Sequence, residues 1–330
     1  MKLMKTLALL LCLGLLTACT APATPLRATA TLVPGTQVLL PDAEGATAHA
    51  TEKEALLYFR FLDEPYLAAE SRVISHSPAE PYELALVTAL LSGPTPQQAE
   101  LTALFPAGTQ VLSTSRQGRT LFVTLSREIM NRYPDESAAQ LSGGDPEAIL
   151  RRQLCMQSLV ATLTENCDID RVQVLVEQSS GDMSSLRLKQ HYFLTTTDES
   201  LLTSPMVRQE ALLLTPGNTL RVILALWQQR DWQRLYDYVA TADPATGQEK
   251  RTYTDFVAAM ESLPRLIRAT AEGGSITMDG RWAAFTLDAL LLAGDHQQES
   301  RTGVTMRLVR ENGLWKITHS QLTDWLEVGR

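Results

Sequence analysis

The thiol of Cys19 has the clearest chemical setting among the reactive side chains of this sequence. It follows Leu16, Thr17 and Ala18, an aliphatic residue and then two small ones. Small side chains let an extended chain enter a peptidase active site, and a thiol placed directly after them is a nucleophile that can accept a diacylglycerol group. We therefore predict that Cys19 is lipidated and begins the mature chain.

The residues before Cys19 favour the same interpretation. Lys2 and Lys5 precede an apolar run over residues 7–16, which is the layout of a secretory signal peptide. The run is shorter than the roughly 20 apolar residues that a transmembrane helix needs. Together with Leu16 to Cys19 it resembles a bacterial lipobox, which implies lipid anchoring at the extracytoplasmic face of the cell membrane. An ordinary signal peptide with an accidental cysteine is the alternative.

Two cysteines remain in the predicted globular part, Cys155 and Cys167. If both lie on one helix, they are about 18 Å apart, whereas a disulfide needs Cα atoms within about 7 Å. We predict two buried, reduced thiols. No histidine pattern accompanies them, so a metal site is disfavoured.

Catalytic motifs are missing from the sequence. It has no phosphate-binding Gly-rich loop, no Cys-x-x-Cys pair, no His-Glu-x-x-His helix and no Gly-x-Ser-x-Gly elbow. The five histidines are scattered. Asp288 is the acid set most deeply in an apolar strand, and we predict that it is solvated or hydrogen bonded rather than catalytic. These patterns predict no enzyme active site and no cofactor.

Charge and length further restrict the class of protein that the sequence can represent. The 330 residues suggest two domains of ordinary size. Removing Lys2 and Lys5 from the 29 basic residues leaves 27 against 37 acidic residues, a net charge of −10. An acidic surface argues against nucleic acid and against electrostatic docking onto anionic lipid.

The elements of the first half alternate between strands and helices. Residues 1–18 are the predicted signal peptide, and residues 19–54, rich in Ala, Thr and Pro, are a predicted flexible tether. Strands are predicted at 55–61, 72–76, 109–115, 119–126 and 171–177, and helices at 81–91 and from Asp145-Pro146 to about 165. This order predicts an α+β sandwich with two helices on one face of a small sheet.

Four segments carry a resemblance to a known family: "ALLYFRF", "ALVTALLSGPT", "LFPAGTQVLSTSRQGRTLFVTLS" and "LVATLTENCDIDRVQVLVE". They resemble the GerMN domain of sporulation and spore-germination lipoproteins, over about residues 51–193, and we predict a GerMN domain at residues 55–194. The resemblance implies an envelope protein linked to sporulation, germination or cell-wall remodelling. It implies no catalytic residues.

The second half has a different order. Residues 195–214 are a predicted connector, and residues 215–330 begin with helices and close with strand-like stretches at 275–292 and 303–322. The pieces "ALWQQRDWQRLYDYV" and "MRLVRENGLWKITHSQL" resemble SnoaL-like and nuclear-transport-factor-like domains. This resemblance implies a cystatin-like α+β cone.

Strand alternation predicts an interaction face on the first domain. One sheet face should carry four apolar or aromatic side chains where a solvated face would be mostly polar. These are Leu56, Tyr58, Phe122 and Leu175. Such a cluster indicates a contact surface for envelope proteins or for a second copy. The alternative is that the C-terminal half covers this face.

Together these features predict a non-enzymatic, membrane-anchored lipoprotein that serves as an interaction or scaffold module in the cell envelope. The alternative is a lipoprotein whose cone domain binds a small ligand or a peptidoglycan fragment, with weak catalysis at most. A periplasmic transporter receptor is disfavoured, because the sequence shows no pair of α/β lobes.

Overall fold

The computed structural model describes residues 50–136, 145–179, 184–194, 196, 198, 200–293 and 297–327. Cys19, the predicted signal peptide and most of the predicted tether lie outside them. The described chain is a mixed α+β protein, which confirms the predicted fold class. Among the described residues, no helix combines the length and apolarity needed to cross a membrane.

The first sheet is built around β1, which spans Thr51–Phe61 and begins slightly before the predicted strand. Strand β2 (Leu67–His76) pairs with it antiparallel, and the short β3 (Leu101–Thr102) pairs with its end, giving the order β2-β1-β3. Helix α1 (Tyr82–Leu91) follows β2 and packs against both longer strands.

The second sheet contains the predicted hairpin, β4 (Val111–Gln117) and β5 (Thr120–Leu125). Strands β6 (Arg171–Glu177) and β7 (Ser185–Arg187) complete the order β4-β5-β6-β7. Strands β5 and β6 are parallel, because the long helix α2 (Pro146–Asn166) carries the chain back between them.

The prediction of one sheet for all these strands is wrong, since β1 belongs to a different sheet from β5 and β6. Helix α2 explains the separation, because it occupies the edge of β1 opposite β2. Ser158 Oγ donates to the carbonyl of Tyr58 at 2.6 Å, and Thr162 Oγ1 accepts from the N–H of Tyr58 at 3.1 Å. The side-chain amide of Asn166 binds both the N–H and the C=O of Leu56, at 3.0 and 2.9 Å. The helix thus satisfies backbone groups that a neighbouring strand would otherwise bind.

The C-terminal half places helices before an antiparallel sheet and adds a last helix. Thr215 caps the first helix by accepting from Asn218 N–H at 3.3 Å. The helices are α3 (Pro216–Gln229), α4 (Trp232–Asp237), α5 (Tyr253–Ser262) and α6 (His319–Glu327). The strands are β8 (Arg265–Ile276), β9 (Trp282–Leu292), β10 (Gln298–Glu311) and β11 (Leu314–Ile317), in the order β11-β10-β9-β8.

Two features of this half differ from the sequence analysis. The sheet begins at Arg265, where no strand was predicted, and residues 319–322, predicted as strand, form the start of α6. The relation of this half to cystatin-like cones stays a prediction.

Partly buried polar contacts join the two halves. Arg234 of α4 donates to both carboxylate oxygens of Glu64, at 2.6 and 2.5 Å. Lys316 of β11, which is almost fully buried, contacts Glu100 at 2.5 Å. The buried apolar residues of both halves form one continuous cluster. The described chain therefore has a shared core rather than two cores connected by a linker.

Both cysteines of α2 are free. Cys155 is buried, and Cys167 caps the C-terminal end of the helix and is half-buried. Burial raises the pKa of Cys155 well above its ordinary value and that of Cys167 to about 11. We expect little maleimide labelling of either thiol in the folded protein, and labelling of both after denaturation without reductant. Peptide mass spectrometry measures this, with a reduced sample as control; labelling that requires reduction would reveal a disulfide.

A buried histidine makes stability depend on pH. His319 packs against the ring of Phe256 at a centroid distance of 6.0 Å. Burial, together with nearby Arg251, lowers the pKa of His319 from its ordinary 6.5. The folded protein therefore favours the neutral imidazole ring of His319. Its contribution to stability is full above pH 6.5 and is lost as the pH falls through the lower folded-state pKa, because the unfolded chain binds the proton first.

We expect His319→Gln to lose less thermal stability than the wild type when the pH is lowered from about 7.5 to about 5.5, the range around the ordinary histidine pKa. Melting temperatures followed by circular dichroism give the comparison. His191→Gln, at an exposed position, is the matched control and should keep the wild-type dependence. The same pH dependence in all three proteins would contradict the assignment.

Candidate binding cleft between the two halves

A cleft of about 280 Å³ lies between the two halves of the described chain. One wall is the face of β1 and β2 that carries Leu56 and Tyr58, and the other includes Leu314 and Trp315 of β11. A more open cavity of about 600 Å³ shares Leu56 and Glu165 with it. Boundaries between domains are frequent ligand sites. We therefore take this cleft as the candidate functional site.

A polar cluster lies at one side of the cleft. The hydroxyl of Tyr58 donates to Glu165 Oε2 at 3.3 Å, and Arg208 forms an ion pair with the same carboxylate. The Arg208 guanidinium lies 5.4 Å from the centre of the Tyr58 ring and also pairs with Glu210 at 2.8 Å. Each charge in this cluster therefore has a partner of opposite sign.

The environment of Tyr58 keeps its hydroxyl protonated. Burial, with a further contribution from Glu165, raises the pKa of Tyr58 to about 12, although Arg208 acts in the opposite direction. A phenol with this pKa is a hydrogen-bond donor at neutral pH and does not serve as a general base. The hydroxyl of Tyr58 is therefore available to donate a hydrogen bond, as it does to Glu165.

The opposite wall provides a flat aromatic surface. The guanidinium of Arg310 lies 5.8 Å from the centre of the Trp315 ring, and its Nε donates to the carbonyl of Gly313 at 3.3 Å. Tyr238 lies deeper and is almost fully buried. An aromatic surface with polar groups at its margin suits a ligand that has both apolar and polar parts.

The structure brings together only some of the predicted interaction residues. Leu56 and Tyr58 line the cleft. Phe122 and Leu175 lie on neighbouring strands of the second sheet, where Thr124 is the register partner of Leu175. Both are half-buried. The four side chains therefore do not form one sheet face, and the C-terminal half lies against the pair on β1.

Asp288 has the surroundings that the sequence predicted. It is exposed on β9, and its carboxylate accepts from the N–H of Gly303 at 2.8 Å. Over the part of the chain that the structure describes, no group of His, Cys, Asp and Glu side chains is placed to hold a metal ion.

Sequence reasoning missed Arg208 and Glu165. Arg208 lies in the predicted connector, which the structure shows to be paired with the first half: Met206 bridges to Val172, and Leu202 bridges to Lys189. Glu165 lies in the last turn of α2, where the sequence gives it the pattern of a solvated residue. Their proximity depends on contacts that are distant in sequence, so local patterns carried no signal for it.

Comparison with known families finds a match in the first half. Residues 57–182 match the Germane family, which is described as sporulation and spore germination. The matched segment runs from β1 through β6. This half is therefore similar to the Germane family, in agreement with the resemblance to GerMN domains. No curated protein sequence matches the chain.

Solved structures show weaker similarity. The tandem GerMN domains of the sporulation protein GerM from Bacillus subtilis are 17% identical, with a TM-score of 0.31 over 54% of this chain and 49% of that one. The chain thus spans about half the length of that tandem protein. The first GerMN domain of GerM is also 17% identical, with a TM-score of 0.31 over 47% of this chain and 98% of that one.

A putative lipoprotein from Clostridium perfringens is 24% identical, with a TM-score of 0.24 over 39% of this chain and 76% of that one. TM-scores this low carry no further inference. The relation to the Germane family rests on the sequence match over residues 57–182.

Proposed function

We propose that this protein is a non-enzymatic interaction module of the bacterial cell envelope, active in sporulation or germination and tethered to the membrane through lipidated Cys19. The observation that carries the proposal is the Germane match over residues 57–182. The signal-like residues 1–18 and the small residues before Cys19 support the tether and the extracytoplasmic location.

The geometry of the cleft supports a binding role. Glu165 and Arg208 neutralise each other, and Tyr58 is held protonated by burial. Groups so arranged bind and orient, whereas acid–base catalysis needs a group that exchanges its proton near the working pH.

Phe122 and Leu175 are the proposed contact residues for an envelope partner or a second copy. They lie on adjacent strands and remain half-buried. Leu56 and Tyr58 belong to the proposed interaction set through the cleft, where the C-terminal half already contacts them.

The anchor is tested by Cys19→Ala. We expect the wild type to partition into detergent and to have a mature N-terminus with the mass of an acylated cysteine. Cys19→Ala should remain unprocessed and lack the acyl mass, because the thiol is the acceptor. Cys12→Ala, within the predicted signal, is the matched control and should behave as the wild type. An unmodified wild-type N-terminus would disprove the anchor.

The interaction role is tested by co-purification from membranes of sporulating and vegetative cells. Phe122→Ser with Leu175→Ser should weaken recovery of a partner while leaving the circular dichroism spectrum unchanged. Leu112→Ser, an exposed apolar residue on β4, is the control. Unchanged recovery with the folded double variant would remove this face from the interface.

Binding of a small ligand or a peptidoglycan fragment is the second candidate function, and the cleft between the halves favours it. The sequence predicts such a site within the C-terminal cone, whereas this cleft is lined by residues of both halves. Titration with soluble peptidoglycan fragments should change tryptophan fluorescence in the wild type and much less in Trp315→Phe. Trp282→Phe is the control, and an equal response in both variants would exclude the cleft.

A further inference from the structure

Among the described residues, only the beginning of the outer edge of β2, the edge facing away from β1, is covered. Leu67 forms a parallel bridge with Leu213, and Leu214 N–H donates to the carbonyl of Leu67 at 2.8 Å. Gly313, with φ of +86°, approaches so closely that a Cβ there would lie 3.2 Å from the carbonyl oxygen of Ala69. Strand β2 continues beyond this contact to His76. Its second half is therefore left at the edge of the sheet.

The backbone groups of Ser71, Val73 and Ser75 point outward along this second half. Ser71 is the register partner of Leu56, whose N–H and C=O bind Asn166 on the far side of β1. Leu56 and Ser71 are therefore a non-hydrogen-bonded pair, and alternation gives Val73 and Ser75 the same orientation. All three residues are exposed, and within the described chain no hydrogen bond from another segment reaches their backbone.

A groove of about 350 Å³ runs beside this open edge, between β2 and α1. Its helix side is made of the small residues Ala85, Thr88 and Ala89, and its strand side includes Ile74. Small side chains on the helix leave space for the side chains of a strand added next to β2. The edge and the groove together have the form of a site for strand addition.

The surroundings of the edge are acidic. Glu54 and Glu52 are the register partners of Val73 and Ser75 and share their sheet face. Neither glutamate forms an ion pair with a described residue, although Glu54 accepts a hydrogen bond from Ser71. Glu80 lines the groove on the other side. These carboxylates favour a positively charged occupant.

The positively charged side chain that lines the groove, that of Arg72, already has partners within the protein. Arg72 forms an ion pair with Glu70 at 2.8 Å and donates to the carbonyls of Ala89 and Gly93 at 3.1 and 2.9 Å. It therefore does not offer an acidic ligand a free guanidinium.

We propose that the outer edge of β2 binds an extended peptide segment of a partner protein as an added strand. The segment alternates basic residues, which face Glu52 and Glu54, with small apolar residues, which enter the groove beside Ala85 and Ala89. A second copy of this chain fits less well, because pairing edge to edge would bring its own glutamates to the same face. The inference rests on the proposed interaction role and names the chemistry of the partner.

The probe is a fluorescent peptide of about ten residues that alternates lysine and valine, the pattern of a half-buried strand. It is added to the full chain in detergent, and binding is followed by anisotropy. We expect saturable binding that weakens as salt is added. Replacing lysine by glutamate should weaken binding by roughly tenfold or more. Methylating alternate peptide nitrogens should abolish it, because those N–H groups pair with the edge.

Variants of the protein test whether the peptide binds at the outer edge of β2. Val73→Pro removes an outward N–H that does not serve the β1 ladder, and should weaken binding by about tenfold. Val73→Thr keeps the N–H and the β-branched shape, and should stay within about twofold of the wild type. Glu52→Gln with Glu54→Gln should weaken binding and reduce its salt dependence. Circular dichroism and melting temperature report the fold of each variant.

Several results would overturn the proposal. One is that the methylated peptide binds as well as the unmodified peptide, and another is that the glutamate peptide binds as well as the lysine peptide. A third is a wild-type dimer, detected by sedimentation, that Val73→Pro dissociates. That result would assign the edge to a second copy. The methylated peptide decides the question even if Val73→Pro fails to fold. Failure of peptide binding while envelope partners still co-purify with the wild type would reject this inference and leave the proposed function standing.

Discussion

Replacing Ser158 by alanine and Thr162 by valine together is expected to lower the free energy of unfolding by about 4 kcal/mol. Both side chains are fully buried and bind the carbonyl and the N–H of Tyr58. The substitutions leave two buried backbone groups without partners, and each unsatisfied group costs about 1–3 kcal/mol. Valine nearly matches threonine in shape, so little of the loss at position 162 comes from a cavity.

Urea denaturation followed by circular dichroism measures this loss. The control is Thr164→Val on the same helix, whose hydroxyl binds back to the carbonyl of Val160 and only duplicates a helical contact. We expect that variant to change stability by less than about 1 kcal/mol. A double variant no less stable than the control would show that α2 does not hold the edge of β1.

Elements with a strong local signal were predictable from sequence. The helix predicted at 81–91 is observed at Tyr82–Leu91, and the hairpin forms around Gly118, whose φ is +60°. Asp145 caps α2 and Pro146 opens it, as the dipeptide indicated. In each case a few adjacent residues determine the backbone, so no distant contact was needed for the prediction.

The division of the strands between two sheets was not predictable in this way. It depends on Ser158, Thr162 and Asn166, which recur every four residues on one side of α2. On a helix, such a polar stripe has the same sequence pattern as a solvated face. Only the position of β1 distinguishes the two, and that position is a tertiary contact.

The residues of the cleft were also only partly predictable from sequence. Leu56 and Tyr58 were recognised as apolar residues on a face that should have been polar, and the structure places the C-terminal half against them. Arg208 lay in a segment without apolar periodicity and therefore gave no signal. The start of β8 was missed for a related reason, because its first residues are mostly exposed and follow a helix that stops at Pro264.

The second large effect on stability is expected at the partly buried ion pair between Glu64 and Arg234, which joins the two halves. Arg234→Leu is expected to lower the free energy of unfolding by about 2 kcal/mol, below the range for a fully buried pair because Arg234 is partly exposed. The side chain of Glu64 is only 8% exposed and would be left without this partner. Adding Glu64→Leu replaces the unpaired polar group by an apolar one, so the double variant should regain much of the loss.

Arg119→Leu is the control for Arg234→Leu, because it breaks solvent-exposed ion pairs with Asp168 and Asp170 and should destabilise the protein much less. Tryptophan fluorescence follows the C-terminal half, which contains all five tryptophans, and labelling of Cys155 follows the first half. We expect both probes to shift together in Arg234→Leu, since the halves share one core. A shift in fluorescence alone would show that the halves unfold independently and that the Glu64–Arg234 pair does not couple them.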